Sequence, residues 1–341
     1  MTHINFSLHP IGVSSHAQHH CSVLVFEDKP QSLHSFKIPW TPWLFNTPEY
    51  AHYQAKNHKI YTFVLANLTQ TEALAFFHLF VSKSSQNAPR VGISPARASF
   101  GSFEMPASLS RQKLDYFIGK IKQFAKNQGI DSLQIKQFPA CYAPAAAQLI
   151  ADALAQNGFE VAFQAENQHL DVSALPFETH LHLSEKRRLR KCLRAGFVFD
   201  EWPNPHLPTV FDFIEQNRRN LGYAMTFDFA TMSEWFALFP DHYRVFCVKD
   251  PHQIVALTVA VRVGSGVLYN FCPADHLHYR AFSPTVLLNA GLYRYCQQNQ
   301  IEVLDLGVST DTNGVQKASL VRFKSNMGAQ MSQKTIFKNT L

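Results

Sequence analysis

Short apolar runs alternate with segments of helical spacing along this chain, most clearly between residues 267 and 328. The run 267–271 predicts a strand, and apolar residues between 286 and 293 recur at the spacing of a helix. A second apolar run at 303–306 predicts a buried strand, followed by a helix that carries RFKSNMG. The order strand, helix, strand, helix predicts parallel strands joined by right-handed crossovers.

The same order occurs in the first half of the chain. YTFVLAN, EALAFFHLFVS and RASFGSFEM predict an antiparallel meander, and an amphipathic helix, a strand, an Ala-rich helix and a final strand follow. AKNQGIDSLQIKQ aligns with CQQNQIEVLDLGV, with Ile130 against Ile301 at an offset of 171 residues. The repeat predicts two α/β (α+β) domains of one fold, residues 1–172 and 173–341.

The boundary is expected between Gln168 and Leu183, where ENQHLDVSALPFETHLHL is interpreted as a linker with an edge strand. Residues 209–240 are expected to form a helical insertion in the second domain, and its loop carries Tyr223 as a candidate substrate-binding residue. An ordinary polar turn explains this loop at least as well. The first copy differs from the second where chemistry is expected. We therefore interpret it as a degenerate scaffold or substrate-binding half.

A helix start at residue 283 is a candidate anion site. Ser283 suits the N-cap, Pro284 suits the first helical position, and Thr285 adds a hydroxyl near the free amides. The amide of Val286 belongs to the same first turn, and Arg280 precedes it. Helix N-termini bind anions through free N–H groups and the helix dipole. These residues are therefore the candidate cofactor-binding set.

Polar residues follow the strand at 303–306. Asp305 and Ser309 lie at its carboxyl end, where loops of open α/β sheets converge on ligands, and Arg322 and Lys324 lie on the next helix. Asp305 could act as a base, orient the Gly307 loop or pair with Arg322, and the sequence leaves these roles open. Ser309 and Arg322 are candidate substrate-binding residues.

YRAFSP, LLNAGLYRYCQQNQIEVLDLGVST and SLVRFKSNMGA together resemble the C-terminal half of the Fem-type transferases and their relatives in the GNAT acyltransferase superfamily. The resemblance implies two tandem GNAT-like domains, each a mixed twisted sheet flanked by helices, with the donor bound in the second. It also implies a role for Lys324, which matches the lysine of the family's F-K-x-x-x-G motif. A cation there could neutralise a developing oxyanion, with Tyr269 on the neighbouring strand donating to a carbonyl.

Charge is concentrated in one predicted helix. Residues 185–194 carry six basic side chains against Glu185, which gives a net charge of +5 within a chain of +6. Such a helix suits phosphate binding, with Arg187 and Arg190 as candidate substrate-binding residues, although a solvated face explains the pattern nearly as well.

Composition excludes several classes of protein. Hydrophobic residues make up 46% and charged residues 16%, as in a globular chain. No apolar run reaches the length of a membrane span and the N-terminus lacks a signal-peptide pattern, so a cytoplasmic protein is expected. The six cysteines are scattered and predict buried reduced thiols, and the 17 histidines show no metal-binding spacing. Motifs of hydrolases, P-loop NTPases and dinucleotide-binding enzymes are absent.

The sequence therefore predicts an N-acyltransferase that acts on the amine of a small molecule or peptide, without a metal. Two donors remain open, acyl-CoA and aminoacyl-tRNA. YRAFSP replaces the glycine-rich turn that is typical of acetyl-CoA enzymes in the superfamily. The alternative function is a catalytically silent module that binds a phosphorylated ligand or nucleic acid in the same crevice.

Overall fold

The computed structural model describes residues 11–16, 21–67, 69, 71–83, 89–311 and 314–341. The opening residues 1–10, on which the signal-peptide argument rests, lie outside this range. The strands are β1 (Gly12–His16), β2 (Cys21–Glu27), β3 (His58–Asn67), β4 (Glu72–Ser82), β5 (Val91–Ser94), β6 (Ser132–Lys136), β7 (Glu160–Asp171), β8 (Val198–Glu201), β9 (Tyr243–Lys249), β10 (Ile254–Gly264), β11 (Val267–Asp275), β12 (Val303–Val308) and β13 (Gln330–Thr340). The helices are α1 (Pro48–Gln54), α2 (Arg111–Asn127), α3 (Pro144–Gln156), α4 (Leu183–Arg194), α5 (Leu207–Asn220), α6 (Phe229–Leu238), α7 (Pro284–Gln298) and α8 (Ala318–Asn326).

The chain forms two compact units, which we call unit 1 and unit 2. Unit 1 contains residues 1–164 and 333–341, and unit 2 contains residues 165–332. The boundary between the units lies within β7, between Gln164 and Ala165. It comes shortly before the range 168–183 in which the sequence places it. The last nine residues belong to unit 1.

Each unit has a mixed sheet of the same order. In unit 1, β1 to β5 form an antiparallel meander, and β6 joins β5 in parallel after the crossover helix α2. In unit 2, β8 to β11 form the meander, and β12 joins β11 in parallel after α7. The helix and strand order that the repeat predicts is therefore confirmed.

The final strand of each repeat pairs outside its own repeat. β7 ends the first repeat, but its residues 167–171 pair antiparallel with β12 in unit 2. β13 ends the second repeat, and its residues 336–340 pair antiparallel with β6 in unit 1. The strand expected within the linker segment is therefore present at residues 166–171, but it lies between two other strands and not at a sheet edge. Its Asn167 and Gln168 are fully buried.

Apolar faces build the two cores. Helix α2 buries Leu114, Phe117, Ile118 and Ile121, as their spacing predicts, and Phe117 lies edge-on to Phe103. In unit 2, α7 is buried along nearly its whole length in a cluster with β9 to β12 and α4. All six cysteines are free thiols, and all but Cys141 are buried, which agrees with the prediction.

Within the described residues, no helix is both long and apolar enough to pass through a bilayer.

Candidate functional site

The two parallel strands of unit 2 part near their middle. β11 and β12 pair over three residue pairs that end at Tyr269 and Asp305. Beyond this point β11 continues along β10 as far as Asp275, whereas β12 continues along β7 as far as Val308. The divergence opens a crevice at the carboxyl ends of the strands, which is where open α/β sheets bind ligands.

Gly307 shapes the β12 side of this crevice. Its φ of +72° lies in the left-handed region that favours glycine. A Cβ atom built there would lie 3.2 Å from Cε2 of Tyr269, which is tighter than ordinary packing. The aromatic ring of Tyr269 therefore lies directly against the backbone of the Gly307 turn.

Asp305 fixes that turn from inside the sheet. The side chain is buried, and its Oδ1 accepts hydrogen bonds from the Gly307 amide at 2.7 Å and from Asn167 Nδ2 at 2.8 Å. A buried carboxylate is costly unless N–H donors satisfy it, and these two donors do so. Of the three roles that the sequence leaves open, this geometry matches the one in which Asp305 orients the Gly307 loop. Arg322 is exposed on α8.

Lys324 lies behind the same turn. The side chain is buried, and Nζ donates to the carbonyl oxygens of Gly307 at 2.8 Å and Val308 at 3.0 Å. Burial lowers the pKa of Lys324 from 10.5 to about 8, and the negative charge of Asp305 partly opposes this shift. Lys324 is therefore not a solvated surface charge, although a lysine on a helix usually is. The ammonium group is a buried charge at the point where β11 and β12 part.

Ser309 joins the end of β12 to its neighbours. It is buried, and its Oγ donates to Gln168 Oε1 at 2.6 Å. Gln168 Nε2 donates in turn to the Val321 carbonyl of α8 at 3.2 Å. These contacts link the end of β12 to β7 and, through Gln168, to α8. Sequence reasoning missed Asn167 and Gln168, although consecutive polar residues in a strand next to an apolar run are a usable signal of a buried hydrogen-bond network.

The start of α7 differs from the expected cap. Ser283 occupies the N-cap position and Pro284 the first turn, as predicted, but Ser283 has a φ of +57° and its side chain caps no amide. The Val286 amide donates to the Ser283 carbonyl at 3.0 Å, so this N–H is not free to bind an anion. Arg280 is exposed, with Nε 3.4 Å from Asp275 Oδ2. Thr285 is half-buried.

A buried polar network ties α7 to the sheet. Thr258 Oγ1 donates to Asn270 Oδ1 at 2.6 Å, and Asn270 Nδ2 donates to Asn289 Oδ1 at 3.2 Å. Asn289 Nδ2 donates to the Thr285 carbonyl at 2.8 Å. These bonds fix the first turn of α7 against β10 and β11, and sequence reasoning did not identify them.

The basic helix α4 packs on the turn before α7. Lys191 Nζ donates to the Ala281 carbonyl at 2.8 Å, and Cys192 Sγ donates to the Phe282 carbonyl at 3.2 Å. Arg187 and Arg190 are exposed. The structure therefore brings α4 and the start of α7 together, but it leaves these two arginines on the outer surface of the helix.

Tyr223 lies on the loop between α5 and α6. Its hydroxyl hydrogen-bonds Nζ of Lys317, which also lies 4.1 Å from the centre of the Tyr223 ring. The Lys317 amide donates to the Ser309 carbonyl at 2.7 Å, so this pair borders the β12 end of the crevice. Phe227, further along the loop, stacks on Phe271, whose ring centre is 5.6 Å from that of Tyr269. One wall of the crevice is therefore aromatic.

No group of three or more His, Cys, Asp or Glu side chains within the described ranges could hold a metal ion.

No protein-family model and no curated protein matches the sequence. Among solved structures the chain is similar to FemX, with a TM-score of 0.70 and 13% identity over 97% of this chain and 98% of that chain. It is also similar to the C-terminal domain of a putative lysylphosphatidylglycerol synthetase from Agrobacterium fabrum, with a TM-score of 0.51 and 12% identity over 78% and 81% of the two chains. L-PGS from Bacillus licheniformis gives a TM-score of 0.51 and 11% identity over 78% and 81%. At these identities the likeness concerns the fold, and the chain has the Fem-type, tandem GNAT-like fold that its C-terminal motifs predict.

Proposed function

We propose that this protein is an N-acyltransferase that moves an acyl or aminoacyl group from an activated ester or thioester to an amine in the crevice between β11 and β12. The observation that carries the proposal is the buried Lys324 ammonium, held by the carbonyls of Gly307 and Val308 where the strands part. A buried cation is costly, and such groups concentrate at functional sites. The fold, which FemX shares, supports the same class of reaction.

In this reaction the amine nitrogen attacks the acyl carbonyl carbon, and negative charge develops on the carbonyl oxygen. The new C–N bond forms as the bond to the oxygen or sulfur leaving group breaks, and the amine proton leaves with that group or with solvent. A preorganised cation stabilises the developing charge in a site that excludes water. We assign this electrostatic role to Lys324 and a hydrogen-bond donor role to Tyr269.

Asp305 and Ser309 are positioning residues in this proposal. Asp305 holds the Gly307 turn through its amide, and Ser309 holds the end of β12 to β7 through Gln168. Both side chains are buried and bonded, which supports a role in fixing the geometry around Lys324.

The donor is either acyl-CoA or an aminoacyl-tRNA. The Val286 amide is used by Ser283, and the turn lacks glycines, so a compact pyrophosphate cradle at the start of α7 has little support. Thr285 and Arg280 are the candidate contacts if CoA is the donor. The acceptor would lie along the aromatic wall near Tyr223, with Arg322 on the outer side of α8.

The test is an acyl-transfer assay on the purified protein with acetyl-CoA or aminoacyl-tRNA as donor and a panel of amino sugars, amino acids and peptides as acceptors. Product is detected by mass spectrometry. Transfer that depends on both Tyr269 and Lys324 would support the proposal, and the donor that is consumed would decide between CoA and tRNA. Binding of a donor with no transfer to any amine would favour the silent binding module instead.

A further inference from the structure

The outer face of α4 combines positive charge with exposed leucine. Glu185, Leu189 and Cys192 are buried and define the inner face of the helix. Because a helix turns about 100° per residue, Leu183, Arg187, Arg190 and Arg194 lie together on the opposite face. Leu183 is 66% exposed, although it begins a helix in a well-packed unit.

Most cations of this face are not neutralised by the protein. Arg188 pairs with Glu185 at 2.9 Å, and Lys191 is bound to the Ala281 carbonyl. The other four, which have no acceptor in the described part of the chain, are Lys186, Arg187, Arg190 and Arg194. Unpaired like charges repel one another, and an anionic partner would relieve this repulsion.

A shallow groove of about 340 Å³ runs along one flank of the helix. Leu189, Leu193, Lys186 and Arg190 line it from α4, and Leu193 is 54% exposed. Glu178 and Thr179 form its other side. The groove therefore places apolar surface directly beside two of the unpaired cations.

We propose that this face of α4 docks on an anionic lipid membrane surface. The four cations would bind headgroup phosphates while Leu183 and Leu193 enter the boundary between headgroups and acyl chains, as in helices that lie in the plane of the interface. Nucleic acid would satisfy the same cations, but it offers no apolar region for two leucines. The exposed leucines therefore favour a lipid surface as the partner.

Docking in this way does not depend on acyl transfer, since the face contains none of the residues assigned to the reaction. Cys192, which holds the turn that precedes α7, lies on the inner face of α4. A membrane bound to the outer face would therefore lie on the other side of the helix from the start of α7.

The experiment is flotation of the full chain with vesicles of phosphatidylcholine alone or mixed equally with phosphatidylglycerol. The chain should float with the mixed vesicles and stay in solution with the neutral ones. Arg187→Glu with Arg190→Glu should lower partitioning at least about tenfold, since each cation near an anionic surface contributes about a fivefold factor. Leu183→Ser with Leu193→Ser should lower it by a similar factor.

Two matched controls carry the same changes elsewhere. Lys29→Glu with Lys126→Glu alters the net charge equally, and Leu221→Ser with Leu238→Ser removes two exposed leucines, one just after α5 and one at the end of α6. Both controls should float like the unchanged chain. Circular dichroism should show that the two α4 variants and the two controls are folded. Equal flotation with neutral vesicles, or a loss in the charge variant but not in the leucine variant, would overturn the proposal. The second outcome, together with binding of an RNA duplex that both arginines require, would identify a nucleic-acid surface.

Discussion

At the scale of single residues, Lys324 combines a charge with nearly complete burial. Its two carbonyl partners satisfy two of its three donors, yet burial still lowers its pKa to about 8. Replacing a buried charge by an apolar side chain of similar length is often neutral for stability.

Lys324→Met should therefore change the melting temperature little. Relief of the buried charge opposes the loss of donors to the Gly307 and Val308 carbonyls. Turnover should fall by about a hundredfold or more, because a preorganised charge acts mainly on the transition state. Lys324→Arg should rescue poorly, since a planar guanidinium does not reproduce a compact ammonium. Full activity in the methionine variant would remove Lys324 from the mechanism.

The pH dependence of turnover tests the same charge. If the ammonium form is required, kcat/KM should fall as the pH rises through about 8, the pKa to which burial lowers Lys324. The measurement is a rate profile from about pH 6 to about pH 10, and the Lys324→Met variant should lack the descending limb. A rate that rises through pH 8 would instead make the neutral amine a base.

Gly307 allows a prediction on stability. Gly307→Ala places a Cβ 3.2 Å from the Tyr269 ring at a φ of +72°, so the free energy of unfolding should fall. The conformational cost alone is about 1–2 kcal/mol. Gly119→Ala is the matched control, because nothing lies within 4 Å of its added Cβ and the site is helical. Urea unfolding should show a gain of about 0.5–1 kcal/mol for the control. Equal stability of the two variants would contradict the strain argument.

Single residues were only partly predictable from the sequence. The positions of Asp305, Ser309, Tyr269 and Lys324 at one sheet edge follow from counting along strands and helices, and the structure places all four around the Gly307 turn. The burial of Lys324 depends on how α8 packs on the sheet. The residues next to Lys324 in the sequence do not predict that packing. The left-handed Ser283 was missed for a related reason, because Ser before Pro usually marks an ordinary N-cap.

At the scale of elements, the position of α7 depends on side chains inside the sheet. Asn289 links Asn270 on β11 to the Thr285 carbonyl in the first turn. Asn289→Ala leaves the Asn270 amide without this acceptor, and an unsatisfied buried group costs about 1–3 kcal/mol. We expect a loss of this size in urea unfolding, together with weaker donor binding.

Asn299→Ala is the control for this prediction. Asn299 also donates to a carbonyl four residues earlier in α7, that of Tyr295 at 2.9 Å, but it lies at the other end of the helix. Its replacement should leave donor affinity unchanged. If both variants bind the donor equally well, the network does not position the start of α7 for ligand binding.

The strand pairing could not be read from the sequence. Apolar periodicity identifies β7 and β13 as the last strand of each repeat, but it does not say which sheet they join. Their pairing with β12 and β6 depends on contacts between residues far apart in the chain. The sequence places Asn167 and Gln168 in a linker with an edge strand, whereas the buried partners that satisfy them lie more than a hundred residues away.

At the scale of the whole molecule, the 171-residue repeat was sufficient to predict two units of one fold. Burial of ionisable groups makes the two units respond differently to pH. In unit 1, Glu104 and His78 are both buried and both contact Asn46. Burial raises the pKa of Glu104 from 4.5 to about 8 and lowers the pKa of His78 from 6.5 to about 4. In unit 2, Lys324 is a buried ionisable group whose pKa is lowered from 10.5 to about 8.

Whether stability rises or falls with pH depends on whether the unfolded or the folded chain binds more protons. Glu104 binds its proton more tightly when folded, so its contribution to stability is complete below pH 4.5 and is lost as the pH rises to about 8. His78 contributes in the opposite sense, and stability rises between about pH 4 and 6.5. The two effects oppose each other up to pH 6.5. Of these two effects, only the loss from Glu104 remains between pH 6.5 and 8.

From these two groups, unit 1 should have a nearly constant urea midpoint between about pH 4.5 and 6.5 and a falling midpoint from there up to about pH 8. Tryptophan fluorescence can follow this unit alone, because Trp40 and Trp43 lie in unit 1 and the other two tryptophans, Trp202 and Trp235, can be replaced by phenylalanine. Glu104→Gln should abolish the fall, since it removes the ionisable group but keeps an oxygen acceptor for Asn46. In unit 2, Lys324 should add stability as the pH rises above about 8, because the unfolded chain then binds a proton that the folded chain releases. Above about pH 9 the buried Cys192 and Cys272 oppose this gain, since burial raises the pKa of each thiol to about 11. A unit 1 midpoint that stays constant between pH 6.5 and 8 in the unchanged chain would show that Glu104 is ionised in its buried site, where Trp40, Trp43 and Asn46 donate to it.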